Sequence, residues 1–176
     1  THPLENVTTA LRDSCNYFFY TIGHDLGIDT LGEYAHALGL GVSTGIELVE
    51  TTGNMSNAAN HMEYAGSEWR IGDTLQAAIG QSDSVFTPLQ LADYCSAVAN
   101  NGELHSASTL KCIRNYDYSE KVYERQDEVL STVESPQYNW DAIHEGMKEV
   151  INSPLNETNY LNFYDCAVTV AGKTGT

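Results

Sequence analysis

At Lys173-Thr174-Gly175-Thr176 the 176-residue chain sets a cation, two hydroxyls and a glycine in immediate succession, behind an alternating apolar run through Val168 and Val170. These types in this order suit a carboxylate ligand. Lys173 supplies charge, the Thr174 and Thr176 hydroxyls donate, and Gly175 lets a ligand approach the backbone. Near the other end stands Ser14-Cys15-Asn16, which holds the only Ser-x-Asn spacing in the chain. Both clusters have a plainer reading. Serine and asparagine commonly cap helices, and a lysine at the end of a strand is ordinarily solvated.

Helices must position these groups. Asn6 or Thr8 is placed to cap a first helix reaching about Asp13, and a second, apolar helix runs from about Tyr17 to His24 before Gly27 breaks it. Ser14-Cys15-Asn16 then falls at an interhelical joint, where side chains leave the helical surface and face a cleft. Thr30-Leu31-Gly32-Glu33 fits a capping box and predicts a short helix ending near Gly39. Residues 42–69 are rich in Gly, Asn, Ser and Thr and read as a long excursion bordering the cleft. Thr87-Pro88-Leu89-Gln90 is a second box, with proline at the first helical position. The helix it opens is expected to put Leu91, Cys95, Val98 and Ala99 on one stripe and to close at Asn101-Gly102. Residues 109–123 read as a hairpin, Ser135-Pro136 as the start of a helix carrying Ile143, Met147, Val150 and Ile151, and residues 166–176 as a strand. The aromatic run from Tyr17 to Tyr20 reads as core. Gly80-Gln81, with Asp83 and Ser84, either lines a cleft or makes a tight turn before the Thr87 cap. No internal repeat or linker is visible, and one mainly helical unit is expected.

Between the two clusters lie the segments Gly72 to Gln81 (GDTLQAAIGQ), Thr87 to Ala92 (TPLQLA) and Ala99 to Gly102 (ANNG). In this order the segments and clusters resemble the transpeptidase domain of penicillin-binding proteins, whose signature set is Ser-x-x-Lys, a Ser-x-Asn-type motif and Lys-Thr-Gly. The resemblance implies an α+β fold: the helical lobe of a serine transpeptidase or β-lactamase-like fold, with only part of its central antiparallel sheet. It implies part of a D-Ala-D-Ala transpeptidase that cross-links peptidoglycan stem peptides through a serine acyl-enzyme and is acylated by β-lactam antibiotics. No cofactor is implied, and the site of action is the extracytoplasmic face of the bacterial cell membrane. The alternative is a non-catalytic β-lactam sensor or peptide-binding scaffold of the same fold.

Carried over residue by residue, the resemblance makes Ser14, Asn16, Lys173 and Thr176 catalytic. Ser14 relays a proton, Lys173 raises the positive potential opposite it, and the Thr176 amide forms half of the oxyanion hole. Asn16, Thr174, Gly175 and Thr176 bind substrate, Asn16 through the peptide carbonyl and the two threonines through the terminal carboxylate. The Ser-x-x-Lys pair is the exception. Its one occurrence, Ser108-Thr109-Leu110-Lys111, follows the Ser-x-Asn motif instead of preceding it and falls in an expected strand. Side chains three apart on a strand point to opposite faces, so this pair is no nucleophile and base. The chain is therefore expected to be a partial domain, residues 1–176, without the segment bearing Ser-x-x-Lys and without the strands and helix that follow Lys-Thr-Gly. It is expected to be inactive alone, with the rest of the domain as a partner.

Composition narrows the field further. Twenty-four acidic against 8 basic residues make a formal charge of -16, which repels phosphate backbones and anionic lipid and argues against nucleic-acid binding. No apolar run approaches the roughly 20 residues that span a bilayer, so any anchor is expected outside these residues. The four cysteines and six histidines show no ligand spacing. No metal is expected, and the cysteines read as mostly buried free thiols.

Overall fold

The computed structural model describes residues 4–175, which divide into two compact units. The first comprises the chain up to Leu31, Glu68–Ser82 and the chain from Ser135 onward. Its elements are α1 (Val7–Arg12), α2 (Asn16–Leu26), α5 (Ile71–Ala77), α7 (Gln137–Asn152) and α8 (Glu157–Phe163). Asn6 caps α1, its side chain accepting from the Thr9 N–H while the Thr9 hydroxyl faces back.

The helix α1 lies on α7 where the latter offers a glycine. A Cβ on Gly146 would stand 3.0 Å from the Thr8 carbonyl and from Leu11 Cβ. The Thr8 hydroxyl donates to the Ala142 carbonyl at 3.0 Å, and Arg12 reaches Glu149 at 3.2 Å. Ala10, Trp140, Val150 and Ile151 make the core of this unit. The helices α2 and α5 approach closely at Gly23, where an added Cβ would sit 2.3 Å from Ala78 Cβ.

The second unit comprises Gly32–Ser67 and Asp83–Glu134. It holds most of α3 (Ile28–Ala37), together with α4 (Ala58–Ala65), α6 (Pro88–Ala99) and two antiparallel ribbons. β1 (Glu103–His105) pairs with β4 (Val129–Thr132) in the register Leu104 to Ser131. β2 (Cys112–Arg114) pairs with β3 (Lys121–Glu124) in the register Ile113 to Tyr123. Buried Leu104 packs under Gly39.

Gln90 organises this unit. It is fully buried, and its amide donates to the Val42 and Thr52 carbonyls, each at 2.7 Å. Its side-chain oxygen accepts the Thr87 N–H at 3.0 Å. The Thr87 box thus forms as expected, but its glutamine also staples the loop at residues 42–52 to α6. Orienting the helix by Gln90 sets its inner face at Gln90, Tyr94, Ala97 and Val98, a helical i, i+4, i+7, i+8 row. Of the expected stripe only Val98 is buried, whereas Leu91, Cys95 and Ala99 are exposed.

Thr30 lies inside α3 and caps nothing, because Gly27 at φ 78 closes α2 and its carbonyl accepts the Leu31 N–H, so α3 starts at once. The excursion at residues 42–69 contains α4, capped by a box whose third-position partner is Asn60 in place of an acid or glutamine. The ribbon of β1 and β4 and the helix α8 carry no signal in the sequence pattern.

Residues 166–175 form no strand. No described strand lies beside them, and they instead bond to the end of α7, through the Gly172 N–H to the Met147 carbonyl at 3.0 Å and Asn152 Nδ2 to the Val170 carbonyl at 2.8 Å. All four cysteines are free, but only Cys15 is buried. Tyr17 is 81% exposed and is not core.

Candidate active site

Ser14 owes its position to the way α1 ends. The Cys15 N–H bonds the Ala10 carbonyl and the Ser14 N–H bonds the Leu11 carbonyl, the paired bonds of a Schellman turn. In such a turn the residue in Ser14's place must be left-handed. Ser14 has φ 50, a region glycine usually fills, and a non-glycine residue there carries about 1 kcal/mol or more of strain. The turn needs no serine. The residue before α2 is Cys15, and no side chain caps that helix, so the capping reading of Ser14 and Asn16 fails. Asn16 is the first residue of α2 and exposed, and its side chain makes no hydrogen bond among the described residues.

Lys173 lies 159 residues away in sequence and meets Ser14, its Nζ donating to Ser14 Oγ at 2.8 Å. It also donates to Thr174 Oγ1 at 2.9 Å and to the Thr174 carbonyl at 3.3 Å. The ammonium's three protons are thus directed at neutral oxygens, and no described carboxylate forms a salt bridge with it. Although much of the residue faces solvent, desolvation at the amine lowers its pKa below the ordinary lysine value. An amine held among neutral oxygens keeps its field available to an incoming anion.

These groups border a cavity of ≈ 410 Å³, within the 300–1,000 Å³ range of small-ligand clefts. It is lined by Ser14, Asn16 and Tyr20 from the start of α2 and the turn before it, by Gln76, Ile79 and Gln81 from α5 and the turn after it, and by Lys173 and Thr174 from the terminal segment. The structure therefore brings Ser14, Asn16, Lys173 and Thr174 together. Gly175 is exposed, with open space where a Cβ would stand, and Thr176 lies outside the described residues. Of the Gly80-Gln81 segment, Gly80, at φ 77, makes a turn, and Gln81 is the one residue of the expected cleft lining that borders the cavity. Asp83 and Ser84 belong to the other unit.

Ser108 and Lys111 lie in a loop, not a strand. The Ser108 hydroxyl donates to Glu47, and the pair makes no mutual hydrogen bond. Sequence reasoning missed Tyr20, Gln76 and Ile79 as lining residues. Tyr20 was hidden in an aromatic run that reads as core, and Gln76 and Ile79 carry no motif beyond the family segment that contains them.

The family described as penicillin binding protein transpeptidase domain matches residues 1–176. The chain belongs to this family. It is 31% identical over 179 residues to the peptidoglycan D,D-transpeptidase MrdA of Haemophilus influenzae, a match covering 99% of this chain and 27% of that relative. To the MrdA of Escherichia coli strain K12 it is 30% identical over 176 residues, with the same coverage. It thus spans about a quarter of the length of these curated relatives. The penicillin-binding protein PBP2 of Helicobacter pylori, solved in complex with MreC, superposes with a TM-score of 0.81 at 29% identity, over 99% of this chain and 30% of that one. The PBP-2B of Streptococcus pneumoniae strain R6 has the same fold, with a TM-score of 0.80 over 96% of this chain and 29% of its own. The helical transpeptidase fold expected from the motifs is the one found.

Proposed function

We propose that this chain supplies the Ser-x-Asn and Lys-Thr-Gly walls of the acyl-transfer site of a D,D-transpeptidase, one that cross-links peptidoglycan stem peptides through a serine acyl-enzyme and is acylated by β-lactams. The contact between Lys173 Nζ and Ser14 Oγ at 2.8 Å carries this reading. It joins the Ser-x-Asn and Lys-Thr-Gly motifs at one cavity, and no local structural need accounts for it. A transpeptidase must bind a peptide ending in a carboxylate, neutralise that charge, and pass a proton from its nucleophile to the departing amine.

In this site Lys173 holds the positive potential and orients the Ser14 hydroxyl, and Ser14 relays the proton. The unpartnered Asn16 amide takes the substrate's peptide carbonyl. Thr174 and Thr176 donate to the terminal carboxylate, Gly175 admits it to the backbone, and the Thr176 amide is one oxyanion donor. The nucleophile and its lysine come from a Ser-x-x-Lys segment that joins this chain as the remainder of the domain. The reaction belongs outside the cytoplasmic membrane, where peptidoglycan is built, and the MrdA likeness favours a role in the same process as that enzyme.

The test joins this chain to a Ser-x-x-Lys segment and follows acylation by a fluorescent penicillin. Lys173→Ala should slow acylation by about 100-fold or more, the scale of one lost preorganised electrostatic group, with unchanged far-UV circular dichroism. Acylation at the parent rate would remove Lys173 from the site.

A further inference from the structure

In the second unit, α4 ends on Gly66 in the left-handed region, at φ 65 and ψ 23, and this reversal brings Ser67 back over the helix. Ser67 Oγ lies 3.2 Å from Nε2 of His61. On the other side of the ring, Nδ1 lies 2.5 Å from Oδ2 of Asp83. A carboxylate only accepts, so the Nδ1–H donates to Asp83 and Nε2 is left to accept the Ser67 hydroxyl proton. His61 is 6% exposed, whereas Ser67 is open to solvent.

The orienting group is itself anchored. The Asp83 main-chain carbonyl accepts from Asn54 Nδ2 at 2.8 Å, and Asn54 bridges Val85. A buried imidazole fixed by a carboxylate and facing an exposed hydroxyl is the order of contacts that makes a serine nucleophilic, whatever the fold that carries it. The Ser67 N–H makes no backbone hydrogen bond among the described residues, which leaves a main-chain donor next to the hydroxyl for a developing oxyanion.

We propose that Ser67, His61 and Asp83 form a second acyl-transfer site that takes small activated esters and phosphonyl fluorides. Ser67 Oγ attacks the acyl carbon, a C–O bond forms, and its proton passes to His61 Nε2. The carbonyl electron pair moves onto oxygen and returns as the bond to the leaving alkoxide breaks, and that alkoxide takes the proton from His61. Water, giving its proton to His61, then attacks the acyl carbon; the Ser67 Oγ–acyl bond breaks, His61 returns the proton to Oγ, and the carboxylic acid leaves. With a phosphonyl fluoride the same attack forms an O–P bond, fluoride leaves, and the adduct stays on Ser67.

The folded 176-residue chain is treated with an alkyl fluorophosphonate, digested, and its adducts quantified by mass spectrometry at Ser67 and at exposed Ser96 of the same sample. Labelling at Ser67 should exceed that at Ser96 by about 100-fold, the scale of one positioned general base. Asp83→Asn, which keeps the side-chain shape, and His61→Gln should abolish the excess. The wild-type ratio needs no variant, so a destabilised mutant cannot blur the result. Equal labelling of the two serines overturns the proposal, as does an excess at Ser67 that persists in Asp83→Asn; either outcome makes the cluster a structural tie between α4 and the segment at Asp83.

Discussion

Replacing Gly23 by alanine tests how the Ser-x-Asn wall is held against the rest of its cavity. The new Cβ would stand 2.3 Å from Ala78 Cβ, 3.6 Å from Ala78 Cα and 3.8 Å from the Thr74 carbonyl. Carbon pairs rest at about 3.5–4.0 Å, so α2 and α5 must separate locally by about 1.5 Å. Neither methyl has a rotamer to escape into, and both sit directly on backbone. Overpacking of this kind costs about 1–3 kcal/mol, and alanine returns up to about 1 kcal/mol of helix propensity at a helical glycine. The expected net loss is about 1–2 kcal/mol. For an m-value of about 2 kcal/mol/M it lowers the urea midpoint of this chain by about 0.5–1 M.

The collision has one specific remedy. Ala78→Gly removes the opposing methyl, so the double variant should recover most of the midpoint, less the roughly 0.5–1 kcal/mol that glycine costs at a helix end. Asn16 and Tyr20 stand on α2, while Gln76 and Ile79 lie two residues before and one after Ala78, so the single variant should also distort the cavity they line. An unchanged or raised midpoint in Gly23→Ala, or a double variant no better than the single, would refute the packing argument.

Gln90→Leu should destabilise the chain by about 2–6 kcal/mol, since it orphans the Val42 and Thr52 carbonyls at about 1–3 kcal/mol each and also leaves the Thr87 N–H without its side-chain acceptor; a loss under 1 kcal/mol on chemical unfolding would show that water replaces the amide. Glu47 accepts from the Ser108 side chain and from both donors of Thr109, which lowers its pKa to about 2 from 4.5, Ser108 contributing most. A carboxylate with a depressed folded pKa stabilises fully above its unfolded value and loses that contribution as pH falls through the folded one. The loop tie at Glu47 should therefore weaken between about pH 4.5 and 2, and in Ser108→Ala its carboxyl titration, followed by NMR, should move up toward 4.5. For Lys173 the sign is opposite. Desolvation lowers its folded pKa below 10.5, so the unfolded chain binds more protons and stability should rise with pH between the two values, a rise that Lys173→Met should lack in urea midpoints.

Local signals were legible wherever a residue's task is discharged within a few neighbours. The caps at Asn6 and Thr87, the stop at Asn101-Gly102 and the helix after Pro136 follow from bonds made three to five residues away, and the hairpin of β2 and β3 from pairing no more than twelve residues apart. The α4 cap escaped notice because Asn60 stands where a glutamate or glutamine would announce the box. The apolar stripe of α6 was misread by one position for a related reason. A polar residue turned inward is invisible to hydrophobic periodicity, and Gln90 is buried because two carbonyls some forty residues earlier take its amide protons.

The motifs Ser14-Cys15-Asn16 and Lys173-Thr174-Gly175, with the family segments between them, are properties of the sequence alone, and they were enough to identify the family. Their meeting is not. That Lys173 ends 2.8 Å from Ser14 depends on α1 lying on α7 at Gly146 and on α7 holding the terminal segment through Met147 and Asn152. The same holds for His61, which reads as an isolated histidine until the turn at Gly66 and the bridge from Asn54 to Val85 place Ser67 and Asp83 on its two nitrogens. Residue types set which bonds a chain is able to make. Distances between groups tens or hundreds of residues apart are set by packing, because only the folded core fixes the separations on which hydrogen bonding and charge depend.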